Sequence, residues 1–410
     1  MDYKDKALCR VRTITTFLVL DRDRAVWKSA ISAATRFCND LAQTFIEDGY
    51  AVQSIRIVTN PFGDYLDTAS VAAAQADLAF ITEILNTTDT TGLRIRFAIG
   101  EARTQAEIAL LPELINAYGD LCNACVNIPL DRSGILDNAL IRHCAAAVGA
   151  ISRLTPRGEG NFNFTVNFNC APLIPYFPAG YHRGERGNCF VVGLETPDLL
   201  VQALEDFNAQ GLFNNHNDRF KGSYDVMHTA LQHHIDNVKT IVAGFNGKDD
   251  FAFAGIDSSA APSKNCASMV DVYKLLGVDY FGAAGSVEAS SLLTRVFQSI
   301  AGVDLVGFSG LMLAVTEDEG LAEGTRNFDY DIRALLTYSA VCGIGLDTVP
   351  IPGDTPLAKI EALMRDTGTL AYRLNKPLTV RLFPVPGLKA GDRTAFESDD
   401  LCNCTVLAVP

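Results

Sequence analysis

Carboxylates recur in this chain where strand-like runs give way to turns, and a carboxylate so placed can move a proton or ligate a hard cation. Asp257 follows Phe253-Ala-Gly-Ile, and Glu317, Asp318 and Glu319 follow a run ending at Val315. Asp347 lies inside the apolar run Ile344–Ile351, and Asp354 comes just after it. Converging, Asp257, Glu317 and Asp347 would suit Mg²⁺ or Ca²⁺, or would act as general acid and base. Turn and cap work by the same side chains is the competing reading. Asp347 and Asp354 do not share one small site, because a rise of about 3.3 Å per residue puts their backbones up to about 20 Å apart. Asp347 is the one expected to point inward. Thr355 is expected to cap the next helix, with Pro356 at its first position.

Two further groupings could bind an anion. His182 and Arg183 stand in Pro178-Ala-Gly-Tyr-His-Arg-Gly184, a loop stiffened by proline and freed by glycine, and would assist at a substrate. Phe281-Gly-Ala-Ala-Gly-Ser286 opens a helix, so the Gly282–Gly285 backbone and Ser286 could offer N–H groups to an anionic group. The stretch lacks the lysine of a P-loop and the full dinucleotide spacing, which leaves ATP and NAD poorly supported. A glycine-eased turn is the competing reading. His228, His233 and His234 fall on one helix at spacings that do not present a ligand pair.

The elements that must hold these residues alternate between strand and helix. The strand-like runs are 11–20, 51–58, 93–99, 122–128, 162–168, 188–193, 251–256, 311–315, 344–351, 378–383 and 405–409. Periodic apolar stripes between most of them predict helices, and the alternation predicts parallel strands with crossover connections. About ten or eleven strands exceed the eight of the common barrel. The Asn-rich stretch 208–224 is expected to be a surface excursion before a helix over 225–242, within a single domain spanning 1–410.

Composition excludes several functions. The 410 residues are 48% hydrophobic, enough for a large core, and the formal charge of −14 argues against nucleic-acid binding. No apolar run is long enough to span a membrane, and no secretory signal leads the chain. Eleven scattered cysteines read as reduced thiols of a cytoplasmic protein. Large apolar α/β enzymes are commonly homo-oligomers, and that is the expectation here.

Several motifs together resemble uncharacterised protein family 0210, also called domain of unknown function 711. They are Arg12-Thr-Ile-Thr, Asn169-Cys-Ala-Pro with Pro178-Ala-Gly-Tyr-His182, and Phe253-Ala-Gly-Ile-Asp-Ser-Ser-Ala-Ala-Pro262. Phe281-Gly-Ala-Ala-Gly285, Gly307-Phe-Ser-Gly310, Val341-Cys-Gly-Ile-Gly-Leu-Asp347 and Arg381-Leu-Phe-Pro-Val-Pro-Gly387 extend the likeness. The resemblance implies a ten-stranded α/β barrel like that of pyruvate formate-lyase and ribonucleotide reductase, with two five-stranded parallel halves running in opposite directions. The strand ends of the halves would then face opposite mouths, so Asp257, Glu317 and Asp347 would cluster apart from Glu101 and His182. Residues 383–410 contain no glycine in the Arg-Val-x-Gly-Tyr setting of glycyl-radical enzymes, which argues against that chemistry. The expectation is a lyase or hydrolase acting on a small polar or anionic metabolite. A metabolite-binding or regulatory protein without turnover is the alternative.

Overall fold

The run Ile55-Arg56-Ile57-Val58 illustrates how the strands are built. Ile55 and Ile57 join the large apolar core under the helices, whereas Val58 joins a separate cluster on the opposite face. Alternate residues of a strand point to opposite faces, so such a sheet needs cover on both. In the structure, a computed structural model describing residues 2–88, 92–211 and 213–410, both covers are present.

The first five strands are β1 (Arg10–Leu18), β2 (Ser54–Thr59), β3 (Arg94–Glu101), β4 (Asn123–Ile128) and β5 (Phe164–Phe168), connected through α1 (Arg24–Glu47), α2 (Val71–Asn86), α3 (Gln105–Tyr118) and α4 (Asn138–Leu154). Then come β6 (Cys189–Glu195), α5 (Pro197–Gln210), α6 (His216–Ala243), β7 (Ala252–Asp257), α7 (Met269–Leu275), α8 (Ser286–Gln298), α9 (Glu319–Asn327) and α10 (Ile332–Ser339). The chain closes with β8 (Gly345–Pro352), α11 (Leu357–Arg373) and β9 (Leu378–Val385). Side chains that accept from early helical N–H groups begin many helices: Asp23, Ser70, Asp137 and Asp331, and Thr104 in a capping box with Glu107.

One mixed sheet of nine strands runs in the order β7-β6-β1-β2-β3-β4-β5-β9-β8. β1 to β5 are mutually parallel, and β6 pairs antiparallel with β1 while β9 pairs antiparallel with β5. β7 is parallel to β6 and β8 to β9, so the last four strands run against the first five. The two opposed sets match the expectation. The count does not: 311–315 and 405–409 make single bridges in place of strands, and the sheet is not closed by a tenth.

Backbone geometry explains the missing strand. Gly307 and Ser309 both have positive φ, 65° and 38°, which turns the chain too sharply for a ladder. What remains is one parallel bridge from Leu305 to Ile256 of β7 and one from Ala314 to Asp347 of β8. Asp257 holds the turn between them. Its carboxylate accepts from the N–H groups of Phe308 at 2.8 Å and Ser309 at 3.0 Å, and from Ser259 at 3.0 Å. Further on, Gly310 and Gly343 pack backbone to backbone, and Gly343 N–H donates to the Leu311 carbonyl at 2.7 Å.

Three other expectations change. The Asn-rich excursion is largely the start of α6, where Asn215 accepts from Asp218 N–H at 3.0 Å as N-cap; residue 212 lies outside the described residues. Helix α9, with glycines at 320 and 324, carried no apolar stripe clear enough to expect it. Thr355 does not cap α11, because its hydroxyl donates back to the Pro352 carbonyl at 2.7 Å and Pro356 itself takes the N-cap position. Among the described residues, no helix is long and apolar enough to cross a membrane.

The face away from the helices carries two small apolar clusters. The loop between β5 and β6 supplies Leu173 and Phe177 to one, against Phe17, Val58, Ala98 and Val191. The C-terminal segment supplies Phe396, Leu401 and Val406 to the other, against Phe162, Phe383 and Val385. The glycine pair that seats 310 against 343 leaves no room for a methyl: a Cβ on Gly343 would lie 2.8 Å from the Gly310 Cα. Gly343→Ala is therefore expected to lower stability by about 1–3 kcal/mol, read as a shift of the denaturant midpoint at unchanged slope.

Candidate functional site

Arginine is the residue that the helix-free face concentrates. Arg56 of β2 and Arg96 of β3 are direct neighbours in the parallel ladder, Arg12 enters from β1, and Arg381 enters from β9. With Glu317, Asp347, Phe162, Tyr176, Phe177, Phe308 and Met312 they line a cavity of about 40 Å³, room for about three water-sized spheres. Adjacent buried like charges repel, so the cavity is stable only where counter-charges meet them.

Most of the meeting is visible. Arg381 donates from Nε to Asp347 Oδ1 at 2.7 Å and from Nη2 to Oδ2 at 3.0 Å, and Nη2 also bonds Glu317. A bulge aims the aspartate: β8 and β9 pair Leu346 with Val380 and Val349 with Leu382, so Asp347 and Thr348 together oppose the single Arg381. Thr348, β-branched, has φ 48° there, and its hydroxyl accepts from Thr316 N–H at 3.0 Å beside Glu317. Arg12 donates to Gln53 at 2.6 Å and lies 3.6 Å from Glu195 and 3.9 Å from Glu317. Arg96 meets Asp120 at 2.8 Å and lies 3.9 Å from Asp400.

Arg56 is the exception. It is only 5% exposed, yet among the described residues its guanidinium donates only to the Pro175 carbonyl, at 3.3 Å, and its Nε has no partner. No carboxylate pairs with it among the described residues. Burial first, then Arg96 and Arg12, drive its pKa well below the usual arginine value. The guanidinium packs over the Phe177 ring at 5.1 Å, while Arg96 and Arg381 pack over Phe162 at 5.2 and 5.0 Å. Glu317 is pushed up by burial, drawn back by Arg381 and pushed up again by Asp347.

The residues expected from the sequence separate into groups. Glu317 and Asp347 meet in this cavity. Asp257 does not line it, and is engaged by the backbone of the 307–309 turn, with burial pushing its pKa up to about 6. Among the described residues no three His, Cys, Asp or Glu side chains gather as a metal-ligand set. The Arg381 guanidinium stands between the two carboxylates where Mg²⁺ or Ca²⁺ was expected, and three more arginines would repel such an ion. Of the acidic run 317–319, Asp318 caps α9 and accepts from Met269 N–H at 2.7 Å, and Glu319 begins that helix.

His182 and Arg183 lie away from the cavity. Arg183 forms a two-pronged pair with buried Glu101 at 2.8 and 2.7 Å. Buried His182 donates from Nε2 to the Leu18 carbonyl at 3.1 Å and accepts from Gly184 N–H at Nδ1 at 3.3 Å, which fixes the neutral tautomer. The turn 282–285 is closed on itself: Gly282 N–H donates to Ser286 Oγ at 3.0 Å, Ser286 N–H donates to the Ala283 carbonyl at 3.1 Å, and neither Gly282, Gly285 nor Ser286 lines the arginine cavity. His234 ties Tyr50 and the Tyr3 carbonyl at 2.9 and 2.7 Å, and His228 meets Ser299 at 2.7 Å.

Sequence reasoning overlooked the arginines, although a signal existed. Arg56 and Arg96 each interrupt a β-rich run, in Ile-Arg-Ile and Ile-Arg-Phe, and Arg381 does so in Val-Arg-Leu. A cation at an interior position of an apolar strand needs a reason.

His182 yields a pH prediction. Burial lowers its pKa from 6.5 to about 4, so the folded state resists protonation that the unfolded chain accepts. The native protein keeps its full stability from this group above about pH 6.5 and loses up to about 3 kcal/mol of it as pH falls toward about 4. Asp257 acts with the opposite sign, since a pKa raised from 3.8 to about 6 removes stability as pH rises through that window. In His182→Gln the acid-side loss is expected to vanish. The denaturation midpoint of the variant, followed from pH 7 to pH 4, should then fall less than that of the native protein.

Comparison with known proteins agrees with the motifs. A UPF0210 protein of Clostridium botulinum (strain Alaska E43 / Type E3) is 28% identical over 300 residues, covering 70% of this chain and 63% of the relative. One from Oleidesulfovibrio alaskensis is 27% identical over 382 residues, 88% of this chain and 79% of the relative, and one from Limosilactobacillus reuteri (strain DSM 20016) is 29% identical over 298 residues. The chain thus spans less than two thirds of the length of several relatives that it matches. Residues 4–397 match the profile of the family described as Uncharacterised ACR (DUF711), and the chain belongs to that family.

Proposed function

We propose that this protein is an enzyme of the lyase or hydrolase type that holds a small anionic metabolite in the arginine cavity and exchanges a proton with it through Glu317. The single observation that carries the reading is Arg56, a buried guanidinium with no carboxylate partner among the described residues, facing a cavity of about 40 Å³. A buried unpaired charge costs several kcal/mol, and an anionic ligand is the partner that removes the cost. Glu317 fits the proton role because burial raises its pKa while Arg381 steadies its anion. Asp347 orients Arg381 and acts through it. The chemistry is non-radical in this reading.

For the fold we infer that the nine strands and the segment 305–315 together form a ten-stave barrel of the pyruvate formate-lyase and ribonucleotide reductase kind. The opposed strand sets and the two single bridges at 305 and 314 support this. Shared architecture carries no chemistry with it, so the reaction is argued from the side chains alone.

One observation favours a second reading, binding without turnover: Arg381 already engages both carboxylates. Turnover and binding across a panel of small carboxylated and phosphorylated metabolites separate the two. In Glu317→Gln we expect turnover to fall at least about 100-fold while ligand binding persists. Undiminished turnover in a folded variant would remove Glu317 from the mechanism, and saturable binding with no turnover in the native protein would establish the second reading.

A further inference from the structure

The reading of an anion pocket leaves open which anion, and the geometry of Arg56 narrows it. We infer that the pocket takes the carboxylate of a small acid, bound side-on by the Nε and Nη2 edge of Arg56. This inference rests on the anion-binding reading above.

Three observations converge on it. The first is the free edge. Among the described residues Arg56 uses Nη1 toward the Pro175 carbonyl, whereas its Nε is buried without a partner and its Nη2 has no protein acceptor. Nε and Nη2 present two parallel N–H groups in one plane, and a planar two-oxygen acceptor matches them with two bonds. Stacking over Phe177 at 5.1 Å holds the guanidinium plane against rotation.

The second is charge. Four arginines line the cavity against two carboxylates, Glu317 and Asp347, and among the described residues no carboxylate pairs with Arg56, so the wall favours an anion beside it.

The third is size and lining. A cavity of about 40 Å³ admits a group of a few heavy atoms, and Phe162, Phe308, Met312 and Ile344 give part of its wall an apolar character. A carboxylate with a short carbon substituent satisfies both surfaces.

The test uses the full chain and two probes, sodium acetate and inorganic phosphate, at matched ionic strength with sodium chloride as reference. We expect acetate to raise the thermal midpoint saturably, phosphate to do no more than chloride, and Arg56→Lys to weaken acetate binding at least ten-fold. Lysine keeps the charge and removes the two-pronged edge, so the variant isolates geometry. Stabilisation by phosphate and not by acetate would overturn the carboxylate inference while leaving the anion pocket standing. Stabilisation by neither would overturn the inference and take the anion-pocket reading with it. Equal acetate stabilisation of the native protein and a folded Arg56→Lys would locate binding elsewhere and overturn the inference. If Arg56→Lys fails to fold, a crystal structure of the native protein grown in acetate decides: two acetate oxygens facing Nε and Nη2 of Arg56 support the assignment, and acetate bound only elsewhere defeats it.

Discussion

A single guanidinium held by two carboxylates organises the helix-free face. Arg381 joins β9, which carries it, to Asp347 on β8 and to Glu317 in the turn before α9. These are three separate pieces of chain, and a buried pair of this kind adds little net stability because desolvation offsets attraction. What it supplies is a penalty for any arrangement in which one partner is absent, about 3–5 kcal/mol for a broken buried pair. The pairing therefore acts as a geometric constraint. It fixes where β8 must bulge, where the 305–315 segment must end, and where Glu317 points.

The bulge shows the local cost of meeting that constraint. A regular strand would alternate Asp347 and Thr348 across the two faces, and one extra residue breaks the alternation so that the pair opposes Arg381. Thr348 takes a backbone conformation that a β-branched residue rarely adopts, and its hydroxyl satisfies the Thr316 N–H that leads into Glu317. The strain and the hydrogen bond lie on the same residue, next to the same charges. Two small apolar clusters bracket the cavity, one contributing Phe177 and the other Phe162, so the guanidiniums lie against rings. Low exposure to water strengthens every charge interaction between them.

Strands were legible in the sequence because apolar runs rich in Val and Ile between turn residues leave a clear mark, and all nine strands were anticipated to within a few residues. The two runs that failed, 311–315 and 405–409, are equally apolar. What sets 311–315 apart is partner geometry, since the turn at Gly307–Ser309 and the close approach of Gly310 to Gly343 are tertiary facts. The site was legible in part. Asp347 as an inward strand aspartate and Glu317 as its neighbour follow from position, whereas Asp257, with the same flanking pattern, is claimed by three backbone N–H groups that no spacing rule reveals. The arginines escape the rule that parallel sheets bind ligands just after their strands. Here the charges lie within strands.

That location follows from the opposed strand sets. Where all strands run one way, their carboxyl ends share one mouth and the loops there can assemble a site; where five run against four, no mouth collects the loops of both. Residues from both sets can still meet within the strands, on the face they share. Arg12, Arg56 and Arg96 come from the first set, and Arg381 and Asp347 come from the second, with Glu317 just ahead of it in the chain. The charged residues that the first set contributes to the cavity wall are all cations, and the carboxylates that line it come later in the sequence. The carboxylates thus meet the cations of the wall only when both sets are in place, and among the described residues Arg56 is the cation of that wall that no carboxylate pairs with.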